Sequence, residues 1–346
     1  MIKRLIRRTL GLLDRLALPF AAAARGLASA YYLIANPRFG REHRAVAAGR
    51  RAYLRTVGSA ARSNPLLRRN VHRLEKGLIM QPRSLSFAAD YIGETVDAFR
   101  MAEASGVLDG EEERWARDVL DRYFASVADV PAIAAARARY TARDARAADE
   151  AYAPRPRSAG ARASVEYPDF LELCRQRRSV RWFLPTPVPR ALVEQAVAAA
   201  AQAPSACNRQ PFLFRYFERP EDARRIAAVP MGTTGYSQNL QALIVIVGDL
   251  GAFAEERDRH LIYIDAALAA MQLMLALETL GLASCPINWP DVESLERRMA
   301  RELKLPYHVR PIMLIAIGYA DPGGGVPYSA KKPFGSLLRD SDDYTT

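Results

Sequence analysis

The chain is poor in the residues that metal and disulfide chemistry require. Its 346 residues include three cysteines (Cys174, Cys207, Cys285) and four histidines (His43, His72, His260, His308). No cysteines stand at zinc-ligand spacing, a disulfide framework would leave one thiol over, and no HExxH or similar pair occurs. A structural metal, metal-assisted hydrolysis and a secreted disulfide scaffold are therefore set aside, and a reducing, cytoplasmic location is expected. Lysine is scarce too, five residues against 44 arginines. No GxGxxG follows a strand-like run, which argues against a separate Rossmann domain for a dinucleotide. Long apolar runs are missing near the start, where Asp14, Arg15 and Arg25 interrupt residues 1–35. What remains falls short of the roughly 20 residues that span a bilayer.

What is present can build a core. Half of the residues are apolar, 9% are aromatic and 25% are charged, so the chain is not globally disordered. Its length suits two domains, or one with a long extension. The net charge of +11 is unevenly placed. Residues 1–83 hold 18 basic against three acidic residues, while residues 158–346 are neutral. A basic excess confined to one segment speaks to an anionic partner of that segment. Leu5, Ile6, Leu10, Leu12, Leu13 and Leu16 among Lys3, Arg4, Arg7, Arg8 and Arg15 suit an amphipathic basic helix. Such a helix fits either an anionic membrane face, at the inner membrane, or packing on its own protein or a dimer mate. Nucleic acid is disfavoured as the partner, because the basic segment has no recognised fold signature and no aromatic platform.

The pattern along the chain divides it. Helical spacing over 41–57, 87–106 and 111–128 predicts an all-helical N-terminal extension, residues 1–157. Between about 129 and 165 the composition shifts to Ala, Arg and Pro, which predicts a linker or surface strap, with 158–165 as its final part. From residue 166 to 340, helical segments alternate with β-rich runs at 212–217, 242–248 and 311–319, an α+β domain. The longest helix is expected over about 260–280, apolar nearly all round and so centrally buried, with Gly281 stopping it. Proline-led helices are expected at 190–203 and 291–303.

Three clusters in this domain can carry chemistry. In RQRRSVRWF, Arg177, Arg178, Ser179 and Arg181 can clamp a phosphate, or simply cap a helix end in solvent. In AQAPSACNRQPF, Pro204, Ser205, Asn208 and Gln210 can meet the edge of a planar heterocycle, or form an ordinary turn. In LGLASCPINWP, a short strand reaches Pro286, Ile287, Asn288 and Trp289, where a rigid backbone N–H could aim at a bound ring. Late in the chain Lys331 and Lys332 form a pair that departs from the arginine habit. In the extension, HRLEKGL offers His72, Arg73, Glu75 and Lys76, either as a substrate contact or as an ion-paired helix surface. Cys207 and Cys285 lie inside two of the clusters and read as small buried hydrophobes, not redox thiols.

In order and spacing, RRSVR, APSACNRQPF, GLASCPINW and the late basic pair resemble the motifs of the nitroreductase family of FMN-dependent oxidoreductases. The resemblance covers about residues 165–335. It implies a nitroreductase-like mixed sheet flanked by helices, and FMN held by Arg177, Ser179 and Arg181, with Arg178 beside them. By the same resemblance Pro204, Ser205, Asn208 and Gln210 lie along the ring and ribityl chain. Pro286, Ile287 and the backbone amide of Asn288 meet the flavin N5 region, and Lys331 and Lys332 hold the phosphate. Asn288 and Trp289 replace the Glu-Gly of well-known members, which puts the shape above the ring, and so the substrate, in question. The N-terminal half resembles extended members among bacterial polysaccharide-biosynthesis proteins.

The resemblance further implies a homodimer with shared flavin sites, NADPH or NADH as donor, and ping-pong reduction of an electron-poor small molecule of nitro, quinone or enone type. Two alternatives stay open. One is an FMN-dependent dehydrogenase, or flavin-consuming enzyme, without a nicotinamide donor. The other is a membrane-peripheral interaction protein with a vestigial flavin site.

Overall fold

A computed structural model describes residues 14–59, 61–141, 151–157, 163–338 and 340. Residues 1–13, which carry most of the expected amphipathic helix, and 158–162 of the expected linker lie outside the described residues. The centre is a four-stranded sheet in the order β1 (Phe212–Phe217), β2 (Ala242–Asp249), β4 (Val309–Gly318), β3 (Ala283–Asn288). All three pairings are antiparallel. Among the described residues its parallel component is a single bridge between Ser179 and Ser284. β2 reads ALIVIVGD without alternation because both faces of the sheet are covered, so both sets of side chains are buried. β3 pairs with β4 on one side, and its exposed Pro286, which has no N–H to give, sits where an outer strand tolerates it.

Helices cover both faces. On one lie α8 (Arg190–Ala200) and α10 (Leu261–Thr279), packed with Phe212, Ile244, Ile246, Ile315 and Ile317. On the other, α9 (Pro220–Ala227) and α11 (Glu293–Leu303) pack with Leu243, Val245, Ile287 and Leu314. α10 buries Ile262, Ala266, Ala269, Leu273 and Leu277 at helical spacing and ends at Gly281, whose φ of +74° favours glycine. It is not buried all round as its composition predicts. Ile264, Leu268 and Met271, at i, i+4 and i+7, are 53%, 44% and 39% exposed, an apolar stripe on one helical face.

The N-terminal helices form a second core. α3 (Pro65–Leu78), α4 (Ile92–Ser105), α5 (Gly110–Ser126) and α6 (Pro131–Thr141) surround Leu67, Leu74, Phe99, Leu120, Tyr123 and Ile133. Asn64 caps α3 by accepting from the amides of Leu66 and Leu67, with Pro65 at the first turn. Asp109 caps α5, whose first turn holds three glutamates against the helix dipole. α6 corrects the sequence expectation of a linker from residue 129. Its alanines build little core alone, but Ile133, Ala136 and Tyr140 complete one supplied by three neighbouring helices.

α2 (Gly40–Val57) belongs physically with the sheet, although it precedes those helices. Ala45 sits in the sheet-side core. Gly49 approaches the 250–252 turn so closely that a Cβ there would stand 2.6 Å from that of Leu250. Before α2, residues 14–23 and α1 (Arg25–Ala30) are helical and meet through the Tyr31 hydroxyl, which donates to Asp14. Leu16, Phe20, Leu27, Leu33 and Ile34 stay exposed on this arm. α7 (Tyr167–Gln176) leads into the first site motif.

Candidate active site

After α7 the chain turns extended and runs along the free side of β3. The Val180 N–H donates to the Ser284 carbonyl at 3.0 Å, and Ser179 bridges Ser284. The Phe183 N–H donates to the Asn239 side chain at 2.6 Å, and that of Leu184 to the Tyr319 carbonyl at 2.9 Å, so both ends of the segment are fixed. The first and third motifs thus meet in one seam at Ser179 and Ser284, with Arg177 and Arg181 close enough to act on Cys285, and Pro286, Ile287 and Asn288 continue β3 from there. Pro286 and Asn288 are exposed there, while Ile287 is buried. Two polar atoms of the seam, Arg177 Nε and Ser284 Oγ, are buried with no hydrogen-bond partner among the described residues. Orphaned buried polar atoms are costly, and an anionic or polar group bound at the seam would supply what they lack.

Burial raises the Cys285 thiol above the ordinary value, with Arg181, a hydrogen bond from Tyr236 and Arg177 opposing. That keeps it protonated, as expected of a small buried hydrophobe. Trp289, a candidate catalytic residue beside Asn288 in the sequence, has its side chain turned into the protein. It is 9% exposed, packs in the core beneath the sheet, and donates its indole N–H to Glu296 at 2.7 Å. Glu296 also accepts from Arg310 at 3.1 Å, and Arg310 donates to Asp291 at 2.8 Å. Burial works against the Arg310 charge, but Glu296 and Asp291 outweigh it and hold its pKa above the ordinary value.

The second motif folds as a strained loop after α8. Cys207, Asn208 and Gln210 all take left-handed backbone angles, with φ of +52°, +49° and +48°, which non-glycine residues hold only where surroundings impose it. Asp265, buried in α10, imposes it from below. Its carboxylate accepts from Ser205 Oγ at 2.6 Å and from the Ala206 amide at 3.0 Å. Ser205 Oγ in turn accepts from the Gln210 amide at 2.7 Å, and Gln210 Nε2 donates to the Ala201 carbonyl at 2.9 Å.

The loop and the seam are not brought together within one chain. The loop is tied to Asp265 near the start of α10, whereas Arg177 lies beside Glu278 near its end. Burial raises the Glu278 carboxyl and Arg177 opposes that shift. Thirteen residues of helix separate the two carboxylates, about 20 Å at 1.5 Å per residue. The exposed stripe of Ile264, Leu268 and Met271 runs between them. Arg178 turns away from the seam and donates to the carbonyls of Pro327 and Tyr328. This ties the C-terminal strand of chain to the seam three residues before the exposed Lys331 and Lys332.

Sequence reasoning missed Asp265, Glu278, Tyr236 and Arg68. Asp265 had a signal, a lone acid inside LIYIDAALAAMQLML, since a buried carboxylate implies a partner. Arg68 had none among so many arginines. The HRLEKGL side chains engage neighbours within the helical unit. His72 meets Glu75 at 3.1 Å, Glu75 accepts from the Trp115 indole at 3.0 Å, and Arg73 stacks 3.6 Å from the Tyr91 ring centre.

Comparison with known proteins singles out the same region. Residues 174–234 and 238–319 match the model of the nitroreductase family. An NADH dehydrogenase of Thermus thermophilus is 29% identical over 175 residues, covering 42% of this chain and 83% of that protein. Iodotyrosine deiodinase 1 of Rattus norvegicus is 24% identical over 201 residues, covering 49% of this chain and 68% of that one. A solved FMN-dependent nitroreductase of Clostridium difficile R20291 aligns with 50% of this chain and 99% of its own, at 21% identity and a TM-score of 0.43.

Proposed function

We propose, from the match of residues 174–234 and 238–319 to the nitroreductase family model, that the chain is a member of that family and an FMN-dependent oxidoreductase that uses NADPH or NADH to reduce an electron-poor small molecule in a ping-pong cycle. The observation that carries this reading is the seam itself, where Arg177, Ser179 and Arg181 meet Ser284 and Cys285, and where Arg177 Nε and Ser284 Oγ, like five other side-chain atoms among the described residues, are buried without partners. FMN, when bound, supplies two-electron transfer between donor and acceptor. The chain's own residues supply the binding. Arg177, Ser179 and Arg181 offer cationic and hydroxyl donors to a phosphate-bearing, electron-rich ligand. Pro286, Ile287 and Asn288 present a rigid strand edge, so the Asn288 amide can orient one acceptor atom of a ring. Lys331 and Lys332 add charge for the phosphate.

Pro204, Ser205, Asn208 and Gln210 would serve the flavin held at the seam of a second copy. Their separation from the seam along α10, with the apolar stripe between, favours a homodimer in which the stripe is covered and each site draws on both chains. The basic arm with exposed Leu16, Phe20, Leu27, Leu33 and Ile34 fits peripheral contact with an anionic membrane surface. Sedimentation with anionic but not zwitterionic vesicles would test that contact.

The test of the enzyme reading is an absorbance spectrum after FMN addition and desalting, repeated anaerobically with NADPH and NADH. Retained flavin bands that bleach with a nicotinamide are expected. Retained bands that do not bleach would favour a dehydrogenase using another donor. No retained flavin would favour an interaction protein.

A further inference from the structure

Arg68 lies on α3, in the helical unit outside the family match, yet its side chain is 14% exposed and reaches the strained loop. Its Nε donates to the Asn208 carbonyl at 2.9 Å, and one terminal nitrogen donates to Gln210 Oε1 at 3.1 Å. The other terminal nitrogen donates to Glu112 of α5 at 2.8 Å, and the guanidinium stands 5.3 Å from the Trp115 ring centre. Glu112 is itself fixed, accepting from Ser63 Oγ at 2.7 Å and from the amide of the cap residue Asn64 at 3.0 Å.

We propose that Arg68 is a positioning residue through which the helical unit sets the conformation of the flavin loop. This rests on reading residues 204–210 as part of a flavin site. Asp265 grips the loop at Ser205 and Ala206, its first half. The left-handed residues Asn208 and Gln210 lie in its second half, and Arg68 holds both. Each nitrogen of the guanidinium serves a different acceptor, two on the loop and one on α5, so the planar fork transmits the position of α5 to the loop. A lysine ammonium carries the same charge but cannot serve three acceptors in that fixed geometry. The helical unit is therefore part of the site's construction.

The test compares full-length wild type, Arg68→Lys, and a double variant, Arg68→Met with Glu112→Gln, which avoids leaving the buried carboxylate unpaired. Arg139→Lys, at an exposed ion pair with Asp97, serves as the control. Hydrogen exchange of the Asn208 and Gln210 amides is read in the flavin-free protein, and FMN affinity is read by fluorescence quenching. Both Arg68 variants should speed loop exchange and raise the FMN Kd at least about tenfold, the scale for losing an orienting partner. The control should match wild type, and cooperative unfolding should persist in all four proteins. Wild-type FMN binding, with exchange and Kd in both variants within about twofold of it, would overturn the Arg68 inference alone. Failure of the wild type to bind FMN would overturn the flavin reading and this proposal with it.

Discussion

The two ends of α10 differ in how complete they are. At the Asp265 end the loop's short polar contacts close on one another, carboxylate to serine hydroxyl, hydroxyl to the Gln210 amide, side-chain amide to the Ala201 carbonyl, while Arg209 Nε is buried without a partner among the described residues. At the Glu278 end Arg177 Nε and Ser284 Oγ are buried and unpaired, and Glu278 itself is pushed toward its neutral form by burial. The loop backbone of the first end is held by the protein's own hydrogen bonds. The second has donors in excess of acceptors, as a site for an anionic group should. Strained backbone held by a buried carboxylate marks the first end, so substitutions at the two ends should fail in different ways.

The largest effect is expected from Asp265→Ala. It removes two charge-assisted hydrogen bonds from a buried position and frees the strained loop, so urea unfolding should show a loss of about 3 kcal/mol or more, together with loss of FMN retention. Arg177→Met should behave oppositely. With no hydrogen bond of Nε to lose, flavin-free stability should stay within about 1 kcal/mol of wild type, while FMN affinity falls at least about tenfold. Ser284→Ala sharpens the contrast, because deleting an orphaned hydroxyl should leave flavin-free stability unchanged or raise it by up to about 1 kcal/mol. A clear destabilisation by either seam variant in urea titrations would show that the seam is not waiting for a ligand.

Glu278→Gln carries a smaller, pH-dependent effect. A carboxyl whose folded pKa is raised gives stability that is present below its unfolded pKa and lost as pH rises through the folded value. The amide should therefore raise Tm by no more than about 2 °C at pH 7 and give no gain near pH 4, which thermal melts at the two pH values would resolve. The smallest effect belongs to Cys285→Ala. With burial holding the thiol protonated, the rate of flavin reduction by NAD(P)H should not change, and wild-type Cys285 should resist alkylation at neutral pH.

Much of the sheet was legible because its runs are local. FLFRYF is β1 over its predicted span, and the long apolar helix stands at 261–279, closed by Gly281. Local pattern could not say which apolar positions would be left uncovered. The stripe of Ile264, Leu268 and Met271 looks like core in sequence and is surface in one chain. The same limit hid α6, whose alanines gain a core from the three helices before it, spread over residues 65–126. Within the site, the adjacency of Ser179 and Ser284 follows from strand pairing across more than 100 residues, which no spacing encodes. The burial of Trp289 was illegible for a related reason, since its partner Glu296 comes from the next helix and draws the indole into the core. The family motifs gave the residue identities; the division of those residues between two ends of one helix came from the fold.

Mixing subunits tests the central claim, a site built from the seam of one chain and the loop of another. One variant carries Arg177→Met. The other carries Asn208→Asp, which keeps a residue tolerant of the left-handed backbone but places a charge on the loop. Each homodimer should bind FMN poorly. After the two are unfolded together and refolded, FMN titration should recover about a quarter of the wild-type sites, because half of the dimers in a two-fold symmetric assembly are mixed and each mixed dimer has one intact pair of seam and loop. No recovery, with mixed dimers shown to form, would place seam and loop of the same chain in one site and contradict the account.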